Sequence, residues 1–420
     1  MFLLEFYQNL EYNIRVHIFK RLEVSGFLKR FFHFVKQSVR ELDKFLLSLC
    51  IVTSAFGILM VYSATRHSLT DGAVLPRDVL TMLVAVGAGL IICLIISHID
   101  YEIILKCSPL IGLACLALMA SLFIWGVGPQ ERSDAKTWIR LGSFYFQPSE
   151  LLKIGFVLTF ATHLGFLREK LNSFKNIVLL GVHAIIPVGL VAVTGDDGSA
   201  LVFIVIILVM LFIAGVYWRY FAIGFSALII VVPIMWVKYF TSFQQQRFLA
   251  LVFPEKYPDI IYQQQRCIEA IGSGQWFGKG LFKGDYTQTG AVPESQNDMV
   301  FSVIGEEFGL IGCVLALLLL TLIVVRIVKI GKKTNDKQAL YVCYGIAVMI
   351  AAQVIINVGM CLKLLPVIGI TLPFFSAGGS SNLCVYIGIG LILSIHRYTQ
   401  EKEIVNFKMR NIRTPFAELY

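Results

Sequence analysis

Three acidic side chains stand at the start of a predicted membrane helix, where ionisable groups indicate either a functional site or a structural contact. Residues 297–312 read NDMVFSVIGEEFGLIG, with Asp298, Glu306 and Glu307, and an almost unbroken apolar run follows from Cys313 to Val325. A charged side chain in hydrocarbon costs about 2.5–3.5 kcal/mol on insertion scales. Asp298 could instead be an N-cap or first-turn acid, and Glu306 and Glu307 could form an ion pair or hydrogen-bonded contact between helices.

A second polar cluster lies in TWIRLGSFYFQPSELLKIGF (137–156). Pro148 suits the first turn of a helix, where Glu150 is favoured by the helix dipole. Glu150 and Lys153 are three residues apart and therefore share one helix face. The pair could bind a ligand near the outer membrane surface, or it could be an internal salt bridge that holds two helices together.

Further charged residues fall on the same side of the predicted membrane. TGDDGSALVF (194–203) carries Asp196 and Asp197 before an apolar run, which also suits a tight turn with a helix cap. Arg247 and Arg266 lie in a long polar segment, where each could equally be a solvated charge.

The stretch LLPVIGITLPFFSAGGSSN (364–382) contains helix-breaking Pro and Gly residues. Its GGSS end, with Ser380 and Ser381, could present backbone N–H groups at a helix start, which suits an anion such as a phosphate. The alternative is a packed re-entrant turn, because irregular backbone at membrane depth must be covered by protein or line a cavity. Together the four clusters suggest a site on the outer side that handles an amphiphile carrying phosphate.

Composition predicts the class of protein that positions these residues. The 420 residues are 57% hydrophobic and 15% charged, with a mean hydropathy of +0.75, whereas soluble proteins have about 25% charged residues. We therefore expect an all-α, polytopic integral membrane protein. The net charge of +9 is attributed to topology and anionic lipid rather than to nucleic acid. Eight of the nine cysteines lie in or beside apolar spans, so neither a disulfide framework nor a metal-ligand spacing is expected.

Ten apolar segments approach the roughly 20 residues that a membrane helix needs. The predicted spans are 45–64, 79–97, 109–127, 150–167, 177–194, 200–215, 220–238, 301–325, 339–362 and 376–395. They form a membrane domain over 45–398 with one large outer loop, 239–299. The distribution of Lys and Arg predicts that both termini are cytoplasmic. Residues 1–44 are then a cytoplasmic tail, with an interfacial helix expected near 27–45, and 399–420 are a second cytoplasmic tail.

Five motifs in order resemble the SEDS family, which comprises the FtsW, RodA and SpoVE proteins of bacterial elongation, division and sporulation. The resemblance runs from about Asp43 to Tyr398. The matching segments are WIRLGSFYFQPSELLK (138–153), GDDGSA (195–200), AIGSGQWFGKG (270–280), PESQNDMVFSVIGEEFG (293–309) and NVGMCLKLLPVIGITLPFFSAGGSS (357–381). PVIGITLPF is slightly closer to the elongation-type RodA members.

The resemblance implies a peptidoglycan glycosyltransferase of the bacterial cytoplasmic membrane. Such an enzyme polymerises lipid II on the outer side and pairs with a class B penicillin-binding protein among elongasome or divisome proteins. It also implies help from a divalent cation, Mg or Mn, although no ligand set is evident, and it implies no organic cofactor. A lipid II flippase and a non-catalytic scaffold are the alternatives. A flippase would more naturally place its polar groups near mid-membrane.

The resemblance also assigns roles to residues. Asp298 matches the family's essential acid and is expected to act as general base. Glu150 and Lys153 match a charged pair with a pyrophosphate-side or structural role, and Arg247 and Arg266 could hold pyrophosphate in a fork. Supporting or substrate-binding positions are expected at Trp138, Asp196, Glu306, Glu307, Ser380 and Ser381.

Four positions depart from the family pattern. Asn297 replaces a Thr before the acid, Ala377 replaces a Tyr, Lys363 stands where Gly is usual, and Asp197 is an additional acid. None of them removes Asp298, so the expected activity stands, and any effect is expected in the fit of the substrate.

Overall fold

The computed structural model describes residues 42–68, 75–128, 135–142, 144–238 and 240–413. The chain divides into two compact units, Met1–Lys44 and Phe45–Tyr420. Only residues 42–44 of the first unit are described, so most of the predicted N-terminal tail and interfacial helix lies outside the described residues.

The described part is almost entirely helical, as predicted. In chain order its α-helices are α1 (Lys44–Thr65), α2 (Arg77–His98), α3 (Tyr101–Lys106), α4 (Ser108–Ala120), α5 (Leu122–Trp125), α6 (Pro148–Phe166), α7 (Phe174–Val193), α8 (Asp197–Ala214), α9 (Trp218–Lys238), α10 (Ser242–Val252), α11 (Pro258–Ser273), α12 (Asp285–Gln288), α13 (Val300–Lys333), α14 (Lys337–Cys361) and α15 (Gly379–Arg413). Its strands are β1 (Gly126–Val127), β2 (Trp138–Leu141) and β3 (Phe144–Phe146).

Within the described ranges, nine helical segments are long and apolar enough to cross a membrane. They coincide with nine of the ten predicted spans, and the chain is a multi-pass membrane protein. The remaining predicted span, 150–167, corresponds to α6, which is 19 residues long. Glu150, Lys153 and His163 lower its hydropathy. Most of its residues are buried, so its two charged side chains face protein rather than lipid.

Three departures from the predicted architecture follow from local chemistry. A small antiparallel sheet, ordered β1-β2-β3, precedes α6, because aromatic and β-branched residues favour strands and Gly142 adopts a positive φ of 64° at the β2–β3 turn. The predicted outer loop 239–299 contains α10, α11 and α12 instead of irregular chain. Finally, α15 continues to Arg413, so much of the predicted tail 399–420 is helical.

The helix α9 differs from the other spans in its packing. Of the residues Trp218–Lys238, none is buried. Its aromatic contacts lie at its two ends: Trp218 stacks on Phe221, and Trp236 packs edge-on against Phe248 of α10. Gln245 of α10 also donates a hydrogen bond to the Trp236 carbonyl. The C-terminal end of α9 is thus joined to the helix that carries Arg247.

The end of α14 shows why Gly is usual at position 363, where this chain has Lys. Leu364 N–H donates to the Gly359 carbonyl (2.8 Å) and Lys363 N–H donates to the Met360 carbonyl (3.1 Å), which is a Schellman C-cap. This cap requires a left-handed residue, and Lys363 has a φ of 59°. A side chain in that conformation is strained relative to Gly.

Lys363→Gly is therefore expected to stabilise the protein by about 1 kcal/mol. The measurement is thermal unfolding of the detergent-purified protein, followed by intrinsic fluorescence. Lys363→Ala is the control, because it removes the amine and its hydrogen bond to Gln265 but keeps the strained Cβ. If the Gly variant melted no higher than the Ala variant, backbone strain at Lys363 would not be the cause.

Candidate active site

Asp298 lies in the segment between α12 and α13, two residues before α13 begins at Val300. Met299 occupies the N-cap position of α13 and makes no side-chain capping bond, so Asp298 is not the N-cap. The residue as a whole is half-buried. Its Oδ2 lies 3.6 Å from the position that a Cβ on Gly369 would take, and Gly369 has a positive φ of 71°. The acid thus faces the irregular segment between α14 and α15.

Charged residues from two other elements act electrostatically on this carboxylate. The pKa of Asp298 is raised to about 7, chiefly because the carboxyl is buried and secondly because Glu294 carries a negative charge nearby. Arg247 of α10 opposes this shift, whereas Asp196 adds a smaller rise. The Arg247 guanidinium lies over the Phe243 ring, 4.5 Å from its centroid. The structure therefore brings together Asp298, Arg247 and Asp196, which the sequence had placed on one side of the membrane.

Asp196 caps α8 and links it to the start of α6. Its carboxylate accepts hydrogen bonds from Ser199 N–H (3.1 Å), Gln147 Nε2 (2.7 Å) and Ser149 Oγ (2.6 Å). The neighbouring Asp197 accepts two bonds from Gln244 Nε2 of α10, at 2.9 and 2.8 Å. Both acids hold the N-terminus of α8 against the elements around Asp298.

Glu150 and Lys153 form an ion pair inside the helix bundle. Lys153 Nζ lies 2.8 Å from Glu150 Oε1, and the Lys153 side chain is 0% exposed. Gln353 Nε2 of α14 donates to Glu150 Oε2 at 3.5 Å. This burial favours the salt-bridge interpretation over direct contact with a pyrophosphate.

The two serines at the start of α15 hydrogen-bond to protein groups. Gln147 N–H donates to Ser380 Oγ at 3.2 Å, and Thr371 Oγ1 donates to Ser381 Oγ at 2.9 Å. Both serines are buried. The GGSS segment (378–381) is thus packed where α15 begins, and its serines bond to Gln147 before α6 and to Thr371.

Glu306 binds the outer loop to α13. Its side chain is fully buried and accepts hydrogen bonds from Tyr286 N–H (2.9 Å), Thr287 N–H (2.8 Å) and Thr287 Oγ1 (2.7 Å). Lys279 Nζ lies 3.4 Å away. These partners all belong to the 239–299 segment. Glu306 therefore makes the hydrogen-bonded structural contact that was one of its two interpretations from sequence.

Glu307 makes a matching connection to α1. Its Oε1 accepts hydrogen bonds from Ser63 Oγ of α1 and from Gln288 Nε2 of α12. Gln288 Nε2 also donates to Ser63 Oγ at 3.0 Å. The two adjacent glutamates therefore fix the loop from both sides, and neither is described in contact with Asp298.

The glycine-rich segment 274–280 crosses a break in α13. The helix is interrupted at Gly309, where φ is 66° and ψ is −159°. Lys279 N–H donates to the Glu306 carbonyl (2.9 Å), and Leu310 N–H donates to the Gln275 carbonyl (2.8 Å). The loop thereby satisfies backbone groups that the break would otherwise leave unpaired in the membrane.

Two predicted site residues are held by their own elements. Trp138 lies in β2, half-buried, and pairs with Val127. Arg266 pairs with Glu269 on α11 at 2.9 Å, and its guanidinium lies over the Tyr262 ring. Their roles at the site stay predictions from the resemblance.

Amides that the sequence reasoning passed over complete the site. Asn357 of α14 donates to the carbonyls of Asp298 and Ile370, both at 2.7 Å, and Gln353 contacts Glu150 as described. Both amides interrupt the apolar run of the predicted span 339–362, which is the signal that could have identified them, since polar groups at such positions need partners.

A divalent cation was expected from the resemblance. In the part of the chain that the structure describes, no group of three or more His, Cys, Asp or Glu side chains could hold a metal ion. Asp196 is one of the acids whose charge acts on Asp298, and its carboxylate already accepts three hydrogen bonds. The side chains of the described residues do not form a ligand set for Mg or Mn.

Residues 43–401 match the family of cell cycle proteins that comprises FtsW, RodA and SpoVE. The chain belongs to this family, and the expected extent, 43–398, differs by three residues at its end. A protein of Geobacter sp. (strain M18) named probable peptidoglycan glycosyltransferase FtsW is 30% identical over 369 residues, covering 85% of this chain and 97% of the relative. Peptidoglycan glycosyltransferase MrdB of Escherichia coli (strain K12) is 28% identical over 360 residues, covering 85% and 94%.

Two solved structures share the fold. A chain from a peptidoglycan synthase complex, described as coordinating polymerization and crosslinking, has a TM-score of 0.72 and 28% identity, covering 85% of this chain and 98% of that one. Crystalline RodA, the rod shape determining protein of Thermus thermophilus, has a TM-score of 0.63 and 28% identity, covering 85% and 97%. Since relatives named FtsW and RodA are similarly distant, membership of the elongation type stays a prediction.

Proposed function

We propose that this protein polymerises lipid II into β-1,4-linked glycan strands at the outer face of the bacterial cytoplasmic membrane. The chain is a peptidoglycan glycosyltransferase, the activity for which its FtsW and MrdB relatives are named. The observation that carries the proposal is Asp298. It is an acid next to a membrane helix, packed beside Gly369 and near the Arg247 charge, with a pKa of about 7.

The proposed reaction is a single displacement. The Asp298 carboxylate removes the proton from the 4-hydroxyl of the acceptor GlcNAc while that oxygen forms a bond to C1 of the donor MurNAc. The bond between C1 and the pyrophosphate oxygen breaks, and undecaprenyl pyrophosphate leaves with the electron pair. Attack opposite the α-linked leaving group inverts C1 and yields a β linkage. A base whose pKa lies near the working pH is well suited to this proton transfer.

Arg247 is the best-placed cation for the leaving group. It acts on the charge of Asp298 and is carried by α10, and a guanidinium binds phosphate oxygens in a fork. Arg266 lies on α11 and pairs with Glu269 at 2.9 Å, and it is not among the charges that act on Asp298. We therefore assign the pyrophosphate contact to Arg247 first.

The partner and orientation belong to the same proposal. With both termini cytoplasmic, the segment between α9 and α13 faces outward, where lipid-linked disaccharide and a crosslinking enzyme would meet. A class B penicillin-binding protein is the expected partner, within the elongasome or the divisome. The likeness to a chain of a peptidoglycan synthase complex supports this pairing.

The pKa of Asp298 predicts how the reaction depends on pH. The carboxylate is the active form and its pKa is about 7, so the rate should be nearly constant above pH 8 and fall as pH drops through 7. At pH 6 it should be about one-tenth of the plateau. The measurement is the initial rate of lipid II consumption by the purified protein and its partner between pH 5.5 and 8.5.

The exposed outer acid Asp285 provides a control for this profile. Its side chain is 81% exposed and pairs with Lys279, so Asp285→Asn should keep the wild-type profile. A rate that stayed constant down to pH 5.5 would contradict a base of this pKa.

A further inference from the structure

Asn357 connects the candidate base to the segment that faces it. Its side chain is 0% exposed. Its Nδ2 donates to the Asp298 carbonyl and to the Ile370 carbonyl, both at 2.7 Å. A primary amide has two N–H donors, and both are used here on two different segments. The orientation of the amide is therefore determined from both sides.

The two residues before Asp298 are held in the same way. Ala377 N–H donates to the Gln296 carbonyl at 2.9 Å, and Ser376 Oγ donates to the Asn297 carbonyl at 2.7 Å. With Asn357, three consecutive carbonyls at 296–298 each accept a hydrogen bond from the 357–377 region. We call residues 296–298 with these three donors the carbonyl clamp.

The donors of the clamp are themselves fixed. Ser376 Oγ accepts a bond from Leu372 N–H at 2.8 Å, and Asn382 Nδ2 donates to the Ser376 carbonyl at 2.8 Å. The second bond of Asn357 reaches Ile370, next to Gly369, whose missing Cβ would lie 3.6 Å from Asp298 Oδ2. The Asn357 amide thus fixes the backbone of Asp298 and the backbone of the 369–370 segment that the carboxylate faces.

We propose that Asn357 is a positioning residue that holds the Asp298 carboxylate at a fixed distance and direction from the 369–370 backbone. The inference rests on the proposed function, because it concerns the same acid. Asn357 does not touch the reacting atoms in this account. It acts through the peptide of Asp298, and misplacing a reacting group by about 1 Å can cost 10²-fold in rate.

Gln264 offers a matched control within the same chain. Its amide is also buried, and its Nε2 donates to two carbonyls, those of Met360 (2.8 Å) and Leu365 (2.7 Å). Asn357→Ala and Gln264→Ala therefore each remove a buried amide and the two hydrogen bonds that it donates. Asn357→Ala also removes the acceptor of a 3.9 Å contact from Cys361 Sγ. Only Asn357→Ala removes a bond to Asp298.

The test compares the two variants in lipid II polymerisation with the partner protein present. Asn357→Ala is expected to lower kcat by about 10²-fold while KM for lipid II changes less than about threefold, because the binding groups remain. Gln264→Ala should stay within about threefold of wild type in both parameters. If Asn357→Ala does not fold, Asn357→Ser, which retains a hydrogen-bond donor, replaces it in the comparison. Its kcat should lie between that of wild type and the value expected for Asn357→Ala.

The pH profile separates positioning from a general loss of stability. The charges acting on Asp298 are Glu294, Arg247 and Asp196, and burial dominates them. Loosening the clamp admits water to the carboxylate, so the acid limb of Asn357→Ala should move to lower pH. The limb of Gln264→Ala should not move.

The outcomes distinguish this inference from the proposed function. If Asp298→Asn is inactive but Asn357→Ala matches Gln264→Ala in kcat and in pH profile, the positioning role is wrong and the base assignment stands. If Asp298→Asn polymerises like wild type, the base assignment and the positioning role both fail.

Discussion

Replacement of Asp298 by Asn is expected to lower the rate of lipid II polymerisation by about 10²–10⁴-fold, the contribution of a general base. The amide has nearly the same size as the carboxylate but cannot accept the proton. The backbone contacts of residue 298, including the bond from Asn357, do not depend on the carboxylate. The variant should therefore fold and bind its partner normally.

The measurement is the initial rate of lipid II consumption by the purified protein and its partner, compared for wild type, Asp298→Asn and Asp285→Asn. The control changes the same residue type in the outer loop, at a side chain that is 81% exposed, and should leave the rate within about twofold, as expected for a solvated surface charge. Comparable rates for Asp298→Asn and the control would exclude Asp298 as the base.

Lys153→Met is expected to destabilise the protein by about 3–5 kcal/mol, because it leaves the Glu150 charge buried without its partner. Lys153 is fully buried, and its ammonium lies 2.8 Å from the carboxylate. Met fills a similar volume, so the loss of packing is small compared with the loss of the charge. The measurement is denaturant or thermal unfolding of the purified variants in one detergent.

The double variant Glu150→Gln/Lys153→Met tests whether the pair is structural. It removes both charges, so most of the lost stability should return, and polymerisation should return with it. A double variant that regained stability but not activity would contradict a purely structural pair and would favour the pyrophosphate-side role.

Length and apolar content were sufficient to predict most of the membrane architecture. Each apolar run near 20 residues became a helix, because an unpaired backbone in hydrocarbon is too costly. The small sheet at 126–146 and the helices within 239–299 were not predicted. They lie outside the apolar runs, and they depend on tertiary contacts that hydropathy does not reveal. The crossing of 274–280 over the break at Gly309 is likewise a pairing between distant segments, although the closely spaced glycines indicate tight backbone.

The candidate site was predicted in part. The acids and Arg247 could be placed on one side of the membrane from charge and topology, and the structure brings Arg247 and Asp196 to Asp298. Sequence could not show that Arg266 would pair along its own helix, since a charged residue on an amphipathic helix has several partners within reach. Asn357 was missed because a single amide in an apolar span reveals neither which carbonyls it bonds nor that one belongs to Asp298.

The central claim is that this protein itself forms glycosidic bonds. The most direct measurement is electrophoresis of the products after purified protein and partner, with the transpeptidase of the partner blocked, are incubated with lipid II in detergent. In detergent there is no bilayer across which lipid II could be flipped, so a flippase would form no glycan product. We expect the wild-type protein to yield a ladder of glycan strands that a muramidase specific for β-1,4 links digests, and Asp298→Asn to yield none. Bound lipid II without any ladder from the wild-type protein would contradict a polymerase and would favour a flippase or a scaffold.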